Sequence, residues 1–171
     1  RDYSNIPGNA DSLCHQINEK ECAIMLNYCH KAKIPLTIAA GRTNLNGSAT
    51  PICGMVMSMS KMTNPKPSLD LKNKCISSPV GIYLEEMRNA ALNQSQKKLY
   101  FPVDPTSRKE AMIGGTISCN ASGFVPGPKG AMRYWTEALD FLTPNGYKIS
   151  CKRGQYISSK GEFLLQFPNK L

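Results

Sequence analysis

The order of hydrophobic and polar residues in the first third of the chain predicts three short strands. The segment "LCHQ" at 13–16 has the character of a strand end, and "PLTI" at 35–38 that of a strand. The segment "GMVMSMS" at 54–60 alternates apolar with small residues, as a half-buried strand does.

A helix is predicted between the first two strands, from Asn18 to about Lys31. Its core stripe has the spacing i, i+3, i+4, i+7 and consists of Cys22, Met25, Leu26 and Cys29. Asn18 can cap the first turn, and Glu21 stands where it can complete a capping-box-like pair. Pro35 cannot continue a helix, so the helix is expected to end before it.

The pattern changes in the second part of the chain. A second helix is predicted over 81–94, with Leu84, Met87 and Ala91 on one face. The segments 68–73 and 75–80 are weaker strand candidates. The segments 137–143 and 146–152 form a predicted hairpin around Asn145-Gly146, a pair that suits a tight turn. The tail at 156–171 has some strand character. Short strands with two helices among them indicate an α+β fold.

Charge and cysteine content narrow the classes of function. The chain has 21 basic and 12 acidic residues, a net charge of +9, which favours anionic partners such as nucleic acid, an acidic membrane surface or a phosphate-bearing cofactor. The basic residues are scattered rather than gathered in a stripe with aromatics, which disfavours nucleic acid. No apolar run approaches the roughly 20 residues of a membrane span, and the first residues lack the apolar core of a signal peptide. The seven cysteines have no CxxC pair, so no metal site is predicted, and reduced thiols in a cytoplasmic protein are expected.

Two long loops have the composition of anion-binding segments. The first, "IAAGRTNLNGSATP" at 38–51, contains Gly41 and Gly47 with several hydroxyl and amide side chains. The second, "IGGTISCNASG" at 113–123, places Gly114 and Gly115 before a segment expected to open a short helix whose positive end faces a ligand. Backbone N–H groups in such turns can hold a pyrophosphate. Neither loop has the P-loop or the GxGxxG pattern, and each taken alone is also compatible with an ordinary surface connection.

Taken together, the two loops and a third segment resemble the FAD-binding domain of the vanillyl-alcohol-oxidase/PCMH superfamily. The similar branch is that of the FAD-linked oxidases that resemble glycolate oxidase and D-lactate dehydrogenase. Its first loop reads about P-V-T-P-R-G-x-G-T-N-L-x-G-G, where this chain has "PLTIAAGRTNLNGS". Its second reads about F-P-P-D-P-S-S, a gap, then I-G-G-x-I-x-x-N-A-G-G, where this chain has "FPVDPTSRKEAMIGGTISCNASG". This stretch extends the second loop to residues 101–123. Its third, about Y-G-x-x-R-D, is similar to "KGAMRYWTEALDFLTPNG". The chain departs from the pattern at Ala39, Arg42, Ser122 and Tyr134.

This resemblance implies a PCMH-type FAD-binding domain made of two small α/β subdomains, at about 1–70 and about 71–171, with the cofactor between them. It implies a non-covalently bound FAD, since His15 and His30 lie outside the loops. The first loop would hold the pyrophosphate, the second would follow the ribityl chain and isoalloxazine, and the third would approach the flavin from the far side. The residues so assigned are Ala40, Gly41, Arg42, Thr43, Asn44, Gly47 and Ser48, then Pro105, Thr106, Ser107, Gly114, Gly115, Ser118 and Ala121, and finally Gly130 and Arg133.

The resemblance also implies hydride transfer from a 2-hydroxy acid such as glycolate or D-lactate to flavin N5. The catalytic base is expected in a downstream cap domain or a partner subunit, so no catalytic residue is assigned, and the electron acceptor is unspecified. A cytoplasmic location is expected, with membrane association only through partners. Two alternatives stay open: a truncated or degenerate flavin-binding module without activity of its own, and, less favoured, a basic nucleic-acid-binding domain.

Overall fold

The first part of the chain forms a parallel three-stranded sheet. We describe a computed structural model of residues 2–162, 164–165 and 169–170. Strands β1 (Ser12–His15) and β2 (Leu36–Ala39) flank β3 (Met55–Ser58), and both pair with it in parallel. All three predicted strands are therefore confirmed. Because the strands are parallel, the carboxyl ends of all three lie at one edge of the sheet.

Helix α1 (Glu19–Ala32) connects β1 to β2, and its start is set by the predicted cap. The Asn18 side chain accepts a hydrogen bond from the Glu21 amide at 2.9 Å, and the Glu21 carboxylate accepts one from the Ile17 amide at 2.9 Å. The helix ends at Lys33, whose left-handed conformation (φ 56°) returns its amide to the carbonyls of Cys29 and His30. The last helical residue, Ala32, thus lies three positions before Pro35, and the helix ends through its own C-cap.

The predicted stripe of α1 packs on the sheet. Cys22 is buried together with Met57 and Met59, and partly buried apolar residues from α1 and β2 surround them. Burial raises the pKa of the Cys22 thiol to about 11, so this cysteine stays protonated and packs as a small apolar side chain. All seven cysteines are free.

The second part of the chain has its own buried cluster around helix α2 (Leu84–Gln94). Leu84, Met87 and Ala91 are buried, which confirms the predicted inner face. Leu84 and Met87 pack with Ile82 and with Ile113 of helix α3 (Ile113–Ser118). Before α2, a short hairpin joins β4 (Ser68–Asp70) to β5 (Cys75–Ser77), so both weaker strand candidates are present.

The last part of the chain is an antiparallel sheet that follows the short helix α4 (Met132–Trp135). Strands β6 (Ala138–Leu142) and β7 (Tyr147–Lys152) form the predicted hairpin, and Gly146 supplies its positive φ of 84°. Strand β8 (Asn169–Lys170) pairs with β7, which agrees with the strand character of the tail. The other tail residues 163, 166–168 and 171 lie outside the described residues. The mixture of helices with separate parallel and antiparallel sheets confirms the α+β class.

Candidate cofactor-binding site

One cavity of about 1170 Å³ opens at the carboxyl edge of the parallel sheet. The first loop follows β2 directly and lines one wall, and residues between 105 and 123 line another. The carboxyl edge of parallel strands is where open α/β sheets bind ligands. A cavity of this size exceeds the range of about 300–1,000 Å³ that is usual for small-molecule pockets, so a long cofactor fits it.

Most residues predicted to bind the cofactor line this cavity. The exceptions are Gly47, Gly130 and Arg133, which are not among its lining residues. The residues brought together are Ala40, Gly41, Arg42, Thr43, Asn44 and Ser48 from the first loop, and Pro105, Thr106, Ser107, Gly114, Gly115, Ser118 and Ala121 from the second. Segments separated by more than fifty residues therefore face one space, as the resemblance implied.

The three exceptions have visible structural surroundings. Gly47 has a φ of 76°, and a Cβ there would lie 2.8 Å from the Ile6 side chain. Gly130 is buried, and a Cβ there would lie 1.8 Å from the Val125 carbonyl oxygen. Arg133 is exposed, and its amide donates to Asn120 Oδ1 at 2.9 Å. Gly47 and Gly130 shape turns here, and the assignment of all three to the cofactor stays a prediction.

Gly41 is required for contact between the two loops. A Cβ on Gly41 would lie 2.1 Å from the Glu110 carbonyl oxygen and 3.0 Å from the Ala111 Cα. The sequence interpretation places this glycine at the ligand, where a side chain would block a phosphate. In the structure, the missing side chain of Gly41 leaves room for the backbone of the second loop. Gly41 therefore allows the two walls of the cavity to come into contact.

The start of α3 differs from its prediction. The sequence predicts a helix that opens after the two glycines, whereas the helix begins at Ile113, so Gly114 and Gly115 lie within its first turn. The amides of Ile113 and Gly114 already donate to the carbonyls of Ile82 at 3.0 Å and Val80 at 2.9 Å. These two amides are therefore already paired within the protein, and the expectation that the positive end of this helix faces the ligand stays a prediction. Without side chains, the glycines keep this wall of the cavity close to the backbone. A Cβ on Gly115 would lie 3.4 Å from the Cβ of Ala40, where the two loops meet.

The N-terminal segment holds the first loop from outside the cavity. Asp2 is buried, and its carboxylate accepts hydrogen bonds from Asn44 Nδ2 at 2.5 Å and from the Ala49 amide at 3.4 Å. The Ser4 hydroxyl also donates a hydrogen bond to the Asp2 carboxylate, and this bond is the main reason why the pKa of Asp2 falls to about 2. Asn44 donates a second time, to Asn46 Oδ1 at 2.9 Å. The Asn44 side chain therefore orders its own loop, and its contribution to a ligand would come from its backbone.

Four charged side chains line the cavity: Glu19, Arg42, Asp140 and Lys148. Lys148 Nζ lies 2.7 Å from Glu19 Oε2 and 3.0 Å from Asp140 Oδ2, and the hydrogen bond with Glu19 is the main cause of its raised pKa. A hydrogen bond from Ser150, followed by the interaction with Lys148, lowers the pKa of Asp140. Arg42 has no ion pair within the described part of the chain. It is therefore the cation that is available to an anionic group.

Sequence reasoning missed the apolar end of the cavity. This end is lined by Cys22, Leu26, Leu36, Met57, Met59, Met62, Val80 and Leu142. The usable signal was that Leu36, Met57 and Met59 lie in or next to β2 and β3, because ligands bind near the ends of parallel strands. The ion pairs of Lys148 gave no such signal, since Lys148 and Glu19 are 129 positions apart.

Other kinds of site have little support among the described residues. They contain no group of three or more His, Cys, Asp or Glu side chains placed to hold a metal ion. No helix within the described ranges has the length and apolar character needed to span a membrane. His15 Nδ1 lies 3.2 Å from the Ser60 hydroxyl, and neither His15 nor His30 lines the cavity.

The first loop, which follows a strand of the parallel sheet, and the second loop share one cavity, an arrangement that suits a large cofactor. Residues 16–152 match the family described as "FAD binding domain", and the chain belongs to this family. FAD is therefore its cofactor, and the resemblance to the PCMH-type FAD-linked oxidases is confirmed. The cavity fits FAD in three respects: its size, the available charge of Arg42, and the small residues where the loops meet.

Similar proteins agree with this assignment. The chain is 32% identical over 154 residues to a D-lactate dehydrogenase of Anaerostipes hadrus, covering 90% of this chain and 31% of the relative. It is 27% identical over 144 residues to the glycolate oxidase subunit GlcD of Bacillus subtilis, covering 84% of this chain and 29% of the relative. A solved structure of alkyldihydroxyacetonephosphate synthase has the same fold, with a TM-score of 0.68 at 20% identity over 83% of this chain and 26% of that chain. The chain thus spans about a third of the length of the two curated relatives, 31% and 29%.

Proposed function

We propose that this chain is the FAD-binding part of an FAD-dependent oxidoreductase that oxidises a 2-hydroxy acid such as glycolate or D-lactate. The observation that carries the proposal is the cavity shared by the two glycine-bearing loops. The names of the relatives support the substrate class, because one is a D-lactate dehydrogenase and another a glycolate oxidase subunit. When bound, the flavin would supply the chemistry of accepting a hydride at N5.

The residues of this chain bind and orient the cofactor in this proposal. Backbone N–H groups of residues 40–44 hold the pyrophosphate, and the Arg42 guanidinium adds a positive charge. The turn at 105–107 and the segment 114–121 lie along the ribityl chain and isoalloxazine. Gly47 and Ser48 close the first loop, and Gly130 and Arg133 lie on the far side.

The proposed arrangement has two subdomains, at about 1–70 and about 71–171, with FAD between them. The buried residues of one cluster, Cys22, Met57 and Met59, lie in the first subdomain, and those of the other cluster lie in the second. Val80 and Leu142 of the second subdomain pack against the first cluster and so join the two. The catalytic base and the site for the electron acceptor are expected in a downstream cap domain or partner subunit. A cytoplasmic location and the absence of nucleic-acid binding belong to the same proposal.

The absorption spectrum of the purified chain tests cofactor binding. We expect a yellow protein with flavin bands, or a colourless one that becomes yellow on reconstitution with FAD. Acid or heat should release the flavin, because the binding is expected to be non-covalent. A chain that is colourless and binds no added FAD would refute the proposal.

A second function, a flavin-binding module without activity of its own, is favoured by Arg42. This residue holds a left-handed conformation (φ 55°) at the place where the family pattern has glycine. The two functions are separated by adding D-lactate or glycolate, without oxygen, to the FAD-loaded chain together with its downstream cap domain or partner subunit. Bleaching of the visible flavin band identifies an oxidoreductase, whereas an unchanged band in a chain that binds FAD identifies the module.

A further inference from the structure

Four charged side chains form a closed ring on the outer side of the second loop. This ion ring consists of Glu85 and Arg88 from α2, and of Asp104 and Arg108 from the second loop. Each arginine touches both carboxylates. Within the ring two positive charges balance two negative ones.

The contacts of the ring are close and partly shielded from water. Arg88 Nη1 lies 2.8 Å from Asp104 Oδ1 and 3.4 Å from Glu85 Oε2. Arg108 Nε lies 3.1 Å from Glu85 Oε2, and its Nη1 lies 3.1 Å from Asp104 Oδ1. The four side chains are only 20 to 31% exposed. Connected, partly buried charges interact more strongly than isolated surface pairs, which usually contribute little.

The ring encloses the ends of a turn that faces the cavity. Asp104 and Arg108 stand directly before and after Pro105, Thr106 and Ser107, all three of which line the cavity. The ring therefore fastens both ends of this turn to α2.

Hydrogen bonds to backbone carbonyls reinforce the same attachment. The Glu85 amide donates to the Arg108 carbonyl at 3.0 Å, and Arg88 Nε donates to the Phe101 carbonyl at 3.2 Å. The Phe124 amide donates to the Asp104 carbonyl at 3.0 Å, which ties the start of the turn to the end of the second loop. The conformation of the cavity wall thus depends on side chains that do not line the cavity.

We propose that Glu85 and Arg88 are positioning residues for the flavin: through the ion ring they set the conformation of the turn at 105–107. This inference rests on the proposed function, which places FAD in the cavity. Neither residue needs to touch the cofactor. Removing one member leaves an unequal set of charges and releases one end of the turn, so the loss should appear in cofactor binding as well as in stability.

The test compares Glu85→Gln with Glu86→Gln in the full chain. The two glutamates are neighbours on α2, and both substitutions remove one negative charge at nearly constant shape. Among the described residues Glu86 pairs only with the exposed Lys66, at 3.8 Å, which makes it a matched control. FAD affinity is measured by quenching of flavin fluorescence, folding by thermal unfolding of the apoprotein, and the flavin environment by visible circular dichroism.

We expect Glu85→Gln to weaken FAD binding roughly tenfold, a shift typical of a residue in a coupled network, and to change the visible dichroism of the bound flavin. Glu86→Gln should change neither. A purely structural role for Glu85 would lower the unfolding temperature and leave the dichroism of bound flavin as it is in the wild type.

A second variant keeps the test usable if Glu85→Gln does not fold. Arg88→Lys retains the charge that Nη1 presents to both carboxylates but loses the bond from Nε to the Phe101 carbonyl, so an intermediate loss of affinity is expected. Equal affinity and equal dichroism in wild type and in whichever of these variants folds would overturn the positioning role. A wild-type chain that fails to bind FAD would instead overturn the proposed function, and the inference with it.

Discussion

Arg42 offers a substitution for which folding and cofactor binding should respond in opposite directions. Its φ of 55° is in the left-handed region, which is unfavourable for residues with a Cβ by about 1–2 kcal/mol. Arg42→Gly removes that strain, but glycine gains about 0.5–1 kcal/mol of conformational freedom in the unfolded chain. The net effect on the free energy of unfolding is therefore a gain of about 0–1.5 kcal/mol. For a domain of this size that is a rise in Tm of about 0–6 °C.

The same substitution should weaken FAD binding. Arg42 is the cavity-lining cation without an ion pair in the described part of the chain, and a hydrogen bond between charged groups contributes about 1.5–3 kcal/mol when shielded from water. Because the Arg42 side chain is exposed, we take about 1–2 kcal/mol, which corresponds to a loss of roughly 5- to 30-fold in affinity. The loss should shrink at high salt, since salt screens the interaction with the phosphates.

Lys33→Gly is the matched control. Lys33 has nearly the same φ, 56°, but it caps α1 and is not among the residues that line the cavity. It should show the same small change in Tm and an unchanged FAD affinity. Fluorescence titrations at low and high salt, with thermal unfolding of each apoprotein, measure both quantities. Unchanged affinity in Arg42→Gly would refute the placement of the pyrophosphate beside Arg42.

Three further predictions concern folding. Gly41→Ala places a Cβ 2.1 Å from the Glu110 carbonyl oxygen, so it should destabilise the chain by about 1–3 kcal/mol in denaturant unfolding. Gly115→Ala makes an ordinary contact at 3.4 Å inside a helix and should be neutral or stabilising. Equal denaturation midpoints for the two variants would contradict the packing argument. The pKa of Asp2 is lowered from 3.8 to about 2 in the folded chain, so this carboxylate stabilises the fold above about pH 4, and the stabilisation disappears as the pH falls through 2. Asp2→Asn should therefore flatten the acid side of the profile of stability against pH. An identical profile in the variant would show that the hydrogen bonds to Asp2 do not stabilise the fold. Leu84 is fully buried, so Leu84→Ala should lower the free energy of unfolding by about 2–5 kcal/mol in urea titrations, and a loss below about 1 kcal/mol would argue against the described core.

Local elements were predictable because their determinants are close together in sequence. The cap of α1 depends on Asn18 and Glu21, and the inner face of α2 depends on the spacing of Leu84 and Met87. Such patterns express helix geometry over a few turns. The position of the hairpin turn was predictable for the same reason, because Gly146 supplies the positive φ that the turn needs.

The parts that could not be predicted depend on contacts between distant segments. The sequence shows that a glycine stands at position 41, but only the fold shows that the Glu110 backbone approaches it. The beginning of α3 was misplaced because Ile113 and Gly114 gain hydrogen-bond partners in the segment before α2, which no local pattern indicates. The two cofactor loops were recognised through their resemblance to a family pattern, since composition alone was also compatible with ordinary connections.

A crystal structure of the chain with FAD tests the placement of the cofactor most directly. We predict electron density for the flavin in the cavity between residues 40–48 and residues 105–121, with the pyrophosphate beside the backbone of 40–44. Flavin bound at any other surface, or crystals grown with saturating FAD whose cavity contains none, would show that these two loops are not the cofactor site.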